Sequence, residues 1–586
     1  MKIAHIFILA TGLLTLSCEQ VLDKAPLNII SEDKVWNDPV LINAYIDRVY
    51  GEMSFLVRDG QGFEEVDPTS GLSDEGRQGR NWHPLFFQWK AGLLDKNGGL
   101  LELWPYETIR KTNEFLEKIV TTTSVSEDLK KQLSAKIRYA RALTYFNMVK
   151  RYGGIPLITR AQQIDDPYEE LFVKRNKEAE VYDFILSEMD AITPDLPASY
   201  PSAEVGSPTR YAALALKSRA ALFAASIATW GRVEIEGLVG VPAADAQRFW
   251  QASYDASKQI IDAKSFSLYN KMPDNKSENF RQLFLDENNS EVIFSKQLTG
   301  VNVGSNYDLF MSPFQFTPGW GGANTAVYLE MVESFENTDG TPGTLNRALA
   351  TSKPWNLTEL FANKDPRFFA SVYFEGDMWK GEAIENWGGI VTRQGTKVTT
   401  GFYEGKSAQG RSFSAGGYAG GQMTGFNVKK YLDDKLIPVD QGKTSVDFIV
   451  FRYGEILLNF AEAAFELNKP KEALDAVNQL RTRAGIKTLV AATRDNIRHE
   501  RKVELAFENH RWWDLRRWRT AEEAITRKFT GIYTFYDAAT GKFRIELNND
   551  AMAGTPSSFQ AKHYYLPITP SRISNNPNLG PENPGY

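Results

Sequence analysis

YGEILLNFAEAAFELNKPKEALDAVNQL, residues 453–480, decides the architecture. Ile456, Leu457, Phe460, Ala461, Ala464 and Phe465 recur at three- and four-residue intervals, which puts them on one face of a helix with 3.6 residues per turn. Asn468-Lys469-Pro470 interrupts the run, because proline can open a helix but cannot sit inside one. Ala473, Leu474, Val477 and Leu480 then resume the same period, so a second amphipathic helix packs on the first with alanines at the crossing.

The pattern recurs upstream. Leu41-Ile42, Ala44-Tyr45 and Val49 are answered, after a long insertion, by Tyr106, Ile109, Asn113, Leu116 and Ile119. Leu133 to Arg151 pairs with Glu180 to Ile192, the first ending at Tyr152-Gly153-Gly154-Ile155-Pro156. Alanine-rich Tyr211 to Ala228 pairs with Trp250 to Ile261, where small side chains allow close approach. Such pairs look like tetratricopeptide-type units, here separated by insertions. The expected fold is mainly α, with four helix pairs near 38–121, 130–192, 209–264 and 449–484. About 265–447 reads differently, with strand-like runs such as Glu291-Val292-Ile293-Phe294 and Phe368-Phe369-Ala370-Ser371-Val372-Tyr373 among Gly, Asn and Pro. A hairpin is expected at Ala539-Thr540-Gly541. One body with a helical side and a loop-built face follows, and binding residues tend to sit on such loops.

The N-terminus reads as an export signal over residues 1–17, leaving 18–586 as a single domain. Lys2 precedes an apolar run, Ile6 to Leu16, shorter than the roughly 20 residues a spanning helix needs. Cys18, after Leu14-Thr15-Leu16-Ser17, is the one cysteine in the chain, so it makes no internal disulfide. Its position resembles a lipobox, with Thr15 and Leu16 departing from the usual pattern, and an acylated Cys18 would be the lipid anchor. Downstream, no apolar stretch is expected to span a membrane. A formal net charge of -6, with basic and acidic residues interspersed, offers no basic stripe for nucleic acid.

Enzyme motifs are incomplete. His5 lies in the leader, and none of the other four histidines has metal-ligand spacing. His499-Glu500 begins like a zinc-protease helix, but Val503 occupies the place of the second histidine. Gly442-Lys443-Thr444 resembles the end of a phosphate loop whose leading glycine is replaced by Ile437. No Gly-x-Ser-x-Gly elbow occurs. Distant carboxylates such as Asp67, Asp74 and Glu75 leave a glycoside hydrolase as one alternative, and a helical adaptor that binds no sugar is another. No catalytic residue, metal ligand or cofactor is expected.

Several blocks resemble the SusD/RagB family of outer-membrane nutrient-binding lipoproteins of Bacteroidetes. They are Trp104, Tyr106, Ile109 and Asn113; Arg138-Tyr139-Ala140-Arg141-Ala142-Leu143 leading to Tyr152-Gly153-Gly154-Ile155-Pro156-Leu157; Asp365-Pro366-Arg367; and Arg452-Tyr453-Gly454-Glu455-Ile456-Leu457-Leu458. Glu500-Arg501, Glu504-Leu505, Arg511-Trp512-Trp513-Asp514-Leu515 and the closing Glu582-Asn583-Pro584-Gly585-Tyr586 continue it. The resemblance implies a lipid-anchored protein on the extracellular face of the outer membrane. It would bind an oligosaccharide and sit as a lid on a SusC-like TonB-dependent transporter. Glu500, Glu504 and Glu508 recur every four residues, so a scaffold role is expected in which Arg498, Arg501, Lys502 and Arg511 neutralise them.

In that family the binding face comes from the insertion in the first helical unit and from loops after the third, here roughly 58–90 and 300–322. The implied ligand-binding residues are Asp74, Arg80, Trp82 and His83 from the first and Tyr307, Phe314 and Trp320 from the second. Trp320, inside Pro318-Gly319-Trp320-Gly321-Gly322, has little local packing and is the expected platform for a sugar ring. Trp379 and Trp387 are weaker candidates.

Overall fold

The computed structural model describes residues 35–53, 68–78, 88–201, 204–299, 303–319, 321–413, 424–552 and 556–586. Four helix pairs form its α side: α1 (Pro39–Glu52) with α2 (Tyr106–Ile119), α3 (Glu127–Tyr152) with α4 (Glu178–Ile192), α5 (Arg210–Trp230) with α6 (Ala246–Ala263), and α7 (Tyr453–Glu466) with α8 (Pro470–Ala484). Side-chain caps set several starts: Ser126 accepts from Leu129 N–H and Thr209 from Ala212 N–H, each satisfying a donor the helix itself leaves open. On α5 Ala212, Ala213, Ala220, Ala221, Ala224 and Ala225 are all buried. The hydroxyls of Ser218 and Ser257 therefore meet at 2.7 Å across the α5–α6 crossing. By length and composition α5 is apolar enough to cross a bilayer, contrary to expectation, but 83% of its apolar window is buried inside the protein.

Two more helices, α9 (Arg494–Glu504) and α10 (Arg511–Arg517), follow the last pair. The strands are short: β1 (Gly76–Gln78), β2 (Val292–Lys296), β3 (Thr325–Val327), β4 (Val372–Phe374), β5 (Phe426–Val428), β6 (Phe448–Arg452), β7 (Gly531–Asp537) and β8 (Phe543–Asn548). One sheet runs β1-β3-β5-β4, and β7-β8 is the expected hairpin, its turn held by Asp537 accepting from Ala539 and Thr540 N–H. Phe368-Phe369 is not strand. Asp365 caps Arg367 N–H and Pro366 opens a helical turn, Pro366–Ser371, before β4 begins.

The helices bury one hydrophobic core, and the insertion builds a second around Phe310, Leu329, Phe335, Phe368, Phe374 and Phe426. Between them lies a buried ion network centred on α9. Glu504 meets Arg367 (2.8 Å), Arg452 (2.8 Å) and Arg483; Glu500 meets Arg367 (2.5 Å) and Arg481 (2.9 Å). Glu508 meets Arg452 (2.7 Å) and Lys430 (2.9 Å), and Glu291 meets Arg452 (2.7 Å) and Arg483 (3.2 Å). Burial alone would raise the Glu504 carboxyl, but Arg483, Arg452 and Arg367 outweigh it and hold it far below the usual range.

The scaffold role is therefore present, with different partners from those expected. Glu500 and Glu504 face inward, toward arginines from distant segments, and the local cations point elsewhere. Arg501 pairs with Asp514 (2.8 Å), Lys502 and Arg511 with Asp74, and Arg498 stacks on tryptophans.

Candidate functional site

The two segments expected to carry the binding face are far apart in sequence, and a β-ladder joins them. β1 pairs antiparallel with β3 in the register Gly76↔Val327, Arg77↔Ala326, Gln78↔Thr325. The approach is close: a Cβ on Gly76 would lie 2.4 Å from the Ala326 carbonyl oxygen, so only glycine fits. The chain thus leaves β1 at Gln78 opposite Thr325, where the loop carrying Phe314 returns to the sheet. Arg80, Trp82, His83 and Trp320 lie outside the described residues, as do Cys18 and Asp67.

The frame of the Trp320 loop is described. Its ends are tied by Gly322 N–H to Leu309 O (2.7 Å), Ala323 N–H to Ser312 O (2.9 Å) and Asn324 N–H to Phe310 O (2.9 Å). Gly322 has φ +83°, and a Cβ there would come within 2.9 Å of the Phe314 Cα, so the second glycine of the Gly-Gly pair is required sterically. Gln315 staples the loop to its neighbour: its Nε2 donates to Ala383 O (3.0 Å), and its Oε1 accepts from Glu385 N–H (2.8 Å) and the Ser412 hydroxyl (3.0 Å). Phe314, in a short turn with Phe316, stays half-buried beside this staple.

Beneath the loop Asp308 anchors the base. It is fully buried, accepting from Asp433 N–H (2.8 Å) and the Thr444 hydroxyl (2.8 Å). Burial pushes its carboxyl up to about 6, against those two hydrogen bonds. A carboxyl raised above its unfolded value favours the fold while protonated, so its contribution is full below about pH 4 and is lost as pH rises through about 6. Asp308→Asn is expected to remove that slope. The stability difference between variant and wild type should move in the variant's favour from pH 4 to 7 by on the order of 2–3 kcal/mol, read from urea melts. A difference that does not change with pH would refute the assignment.

Two implied contacts are corrected. Tyr307 is 1% exposed: its hydroxyl donates to Lys430 O (2.8 Å) and its ring packs edge-on to Tyr431, so it belongs to the second core. Asp74 is 8% exposed and both of its oxygens are engaged, by Arg511 (2.7 and 2.9 Å) and by Lys502 (3.0 Å). Burial would raise its carboxyl, but Arg511 and Lys502 prevail and keep it ionised, so it cannot serve as a general acid at neutral pH. Glu75 accepts from Phe507 N–H (3.1 Å) and is likewise scaffold. Trp379 and Trp387 are buried, the latter stacked on Phe543 at 6.1 Å.

Some features of this face escaped the sequence reading. Phe402, in a hairpin of Phe402–Tyr403 with Lys406–Ser407, is 76% exposed. Arg411 bridges Glu382 (2.8 Å) and Glu385 (2.9 Å) beside the Gln315 staple. The Arg411 contacts join residues 26 and 29 positions apart, and no local pattern announces them. Among the described residues no group of three or more His, Cys, Asp or Glu could hold a metal ion.

Comparison with known proteins accounts for this architecture. SusD-like protein P2 of Formosa agariphila is 23% identical over 98% of each chain. A SusD-like protein of Bacteroides fragilis superposes with a TM-score of 0.72 at 27% identity, covering 96% of this chain and all of that one. A SusD-like carbohydrate binding protein from the same species gives a TM-score of 0.69 at 22% identity, covering 93% of this chain and all of that one. A family model described as starch-binding associating with outer membrane matches residues 37–222. The SusD family model matches residues 290–586, just over half of the sequence, and the chain therefore belongs to the SusD family.

Proposed function

We propose that this protein binds an oligosaccharide at the cell surface and delivers it to a SusC-like TonB-dependent transporter, without breaking bonds in it. The observation that supports the reading is the β1–β3 ladder, which pairs a strand of the first segment with the strand that follows the second. Family membership supports it, as does the carbohydrate-binding description of a structural relative. Arg80, Trp82, His83, Phe314 and Trp320 are the proposed sugar contacts, the rings stacking on the apolar face of a sugar and the polar groups bonding its hydroxyls. Asp74 and Tyr307 are not among them. A glycan-panel assay on the purified protein tests this: saturable binding of at least one oligosaccharide is expected, and no binding across neutral and acidic panels would favour the adaptor alternative.

Delivery requires the protein to be held where the glycan arrives, and acylation of Cys18 is the proposed anchor on the outer membrane. Cys18→Ala is expected to move the protein from the membrane fraction to the soluble one. Unchanged retention and surface exposure would show that the anchor lies elsewhere. Extraction of the wild-type protein in mild detergent is expected to bring a TonB-dependent transporter with it. Recovery only as a free monomer in several detergents would count against the lid arrangement.

A further inference from the structure

Beyond the end of α6 the chain runs strand-like, with one side of its backbone unserved. Ser267 N–H donates to Ser290 O (3.0 Å) and Tyr269 N–H to the Glu291 carboxylate (2.7 Å). Ser267 O accepts from the Ser290 hydroxyl (3.4 Å) and Tyr269 O from the Asn279 amide (2.9 Å). Residues two apart thus turn their backbone groups to the same side, as in a strand, and the residues alternating with them face the other way. Those are Phe266, Leu268 and Asn270, and among the described residues nothing bonds to the N–H or C=O of any of the three.

A cavity of about 690 Å³ lies between this segment and α8, whose Asp475, Gln479 and Thr482 form one stripe at helical spacing. Tyr453 contributes to the wall: the residue is 7% exposed, and its hydroxyl, without a hydrogen-bond partner among the described residues, keeps accessible surface. The stem of Lys276 runs against Gly485 just past α8, where a Cβ would come within 2.9 Å of the lysine Cγ. Its ammonium lies in the same wall and has no carboxylate partner among the described residues. The acid in that wall, Asp475, is held by Lys471 (2.6 Å), and the Arg483 guanidinium is committed to Glu291 and Glu504. The groove therefore offers a row of unserved backbone groups, one free hydroxyl and one uncompensated positive charge.

We propose that this groove takes an extended peptide segment of a partner protein, added as a strand to the 266–270 edge with an acidic side chain paired to Lys276. An edge of unpaired N–H and C=O groups is a template for another peptide backbone, whose own groups alternate with the same repeat. Phe266 and Leu268, both half-buried, add apolar contact along that backbone. Lys276 supplies the charge selection, because a carboxylate beside it would neutralise an ammonium that this chain leaves alone. A second copy of the chain fits less well: its own edge lies inside the same kind of groove, and two concave walls do not interlock. The groove is independent of the sugar reading of the loop face.

Panning a library of short random peptides on the full-length protein, followed by isothermal titration of the enriched sequence as a synthetic peptide, tests it. The enriched peptides are expected to carry an aspartate or glutamate and to bind saturably. Deuterium exchange at residues 266–270 should slow in the complex, as newly formed strand bonds require. Leu268→Pro, which removes an amide donor, and Lys276→Glu are each expected to weaken binding by about tenfold or more. Lys276 opens a short helix, Lys276–Gln282, where an acid is favourable, so its variant should fold normally and the test stands even if Leu268→Pro is unstable. No enriched peptide, undiminished binding in both variants, or unslowed exchange at 266–270 would overturn the proposal. Self-association of the wild-type protein that Leu268→Pro abolishes would overturn it in favour of a second copy.

Discussion

Glu504→Ala is expected to destabilise the protein by roughly 3–5 kcal/mol, the usual range for removing one member of a buried ion pair. Its carboxylate, fully buried, meets Arg367, Arg452 and Arg483, which arrive from three different segments. Alanine leaves these three guanidinium groups less neutralised in a place water does not reach, and the leftover charge, more than the lost bonds, sets the size of the effect. Urea unfolding at neutral pH would measure it. The surface pair Lys258–Asp262, with both side chains about half exposed, is the internal control, and Asp262→Ala should leave the midpoint unchanged. The sign of the pH dependence is also determined. A carboxyl held below its unfolded value contributes fully above the unfolded value and loses that contribution only as pH falls toward the folded one. Glu504 should therefore stabilise across the neutral and mildly acidic range. A Glu504→Ala variant as stable as wild type would mean that the network is dispensable to the fold.

That network also marks where sequence reasoning stops. The helix pairs were legible because a 3.6-residue period, as in Ile456, Leu457, Phe460, Ala461 and Ala464, is written locally, and each of these residues is buried in the structure. The four-residue spacing of Glu500, Glu504 and Glu508 was equally legible, but a spacing says that charges stack and not which cations meet them. Arg367, Arg452, Arg481 and Arg483 reach them through tertiary folding. Asp74 and Tyr307 illustrate the same boundary at the candidate site. A polar or aromatic residue in a glycine- and asparagine-rich stretch looks available for a ligand, yet Asp74 is claimed by Lys502 and Arg511, more than 400 positions away, and Tyr307 turns into a core that the insertion builds for itself. What local sequence did convey was the glycine pattern around Trp320, because the φ of +83° at Gly322 is a demand on a single residue.

Trp320→Ala is expected to weaken glycan binding by about 2 kcal/mol, as for a central aromatic anchor, which is more than tenfold in Kd, with the melting temperature nearly unchanged. The separation of the two effects follows from the loop's construction. Its ends are held by backbone hydrogen bonds from residues 322–324 to Leu309, Phe310 and Ser312, and its middle by Gln315 on Ala383, Glu385 and Ser412. None of these bonds uses the indole of Trp320, so removing it should leave the frame in place. Gly322→Ala is the complementary change: it keeps the indole but forces a Cβ to within 2.9 Å of the Phe314 Cα at a positive φ, and should lower affinity by displacing the loop. Titration of the best panel glycan into wild type, Trp82→Ala, Trp320→Ala and Gly322→Ala distinguishes the cases. If Trp320→Ala lowers the melting temperature strongly, the indole plugs the loop onto the body and is not a platform. If glycan affinity is unaltered in both Trp82→Ala and Trp320→Ala, the sugar binds elsewhere. The exposed ring of Phe402 would then be the next aromatic to test.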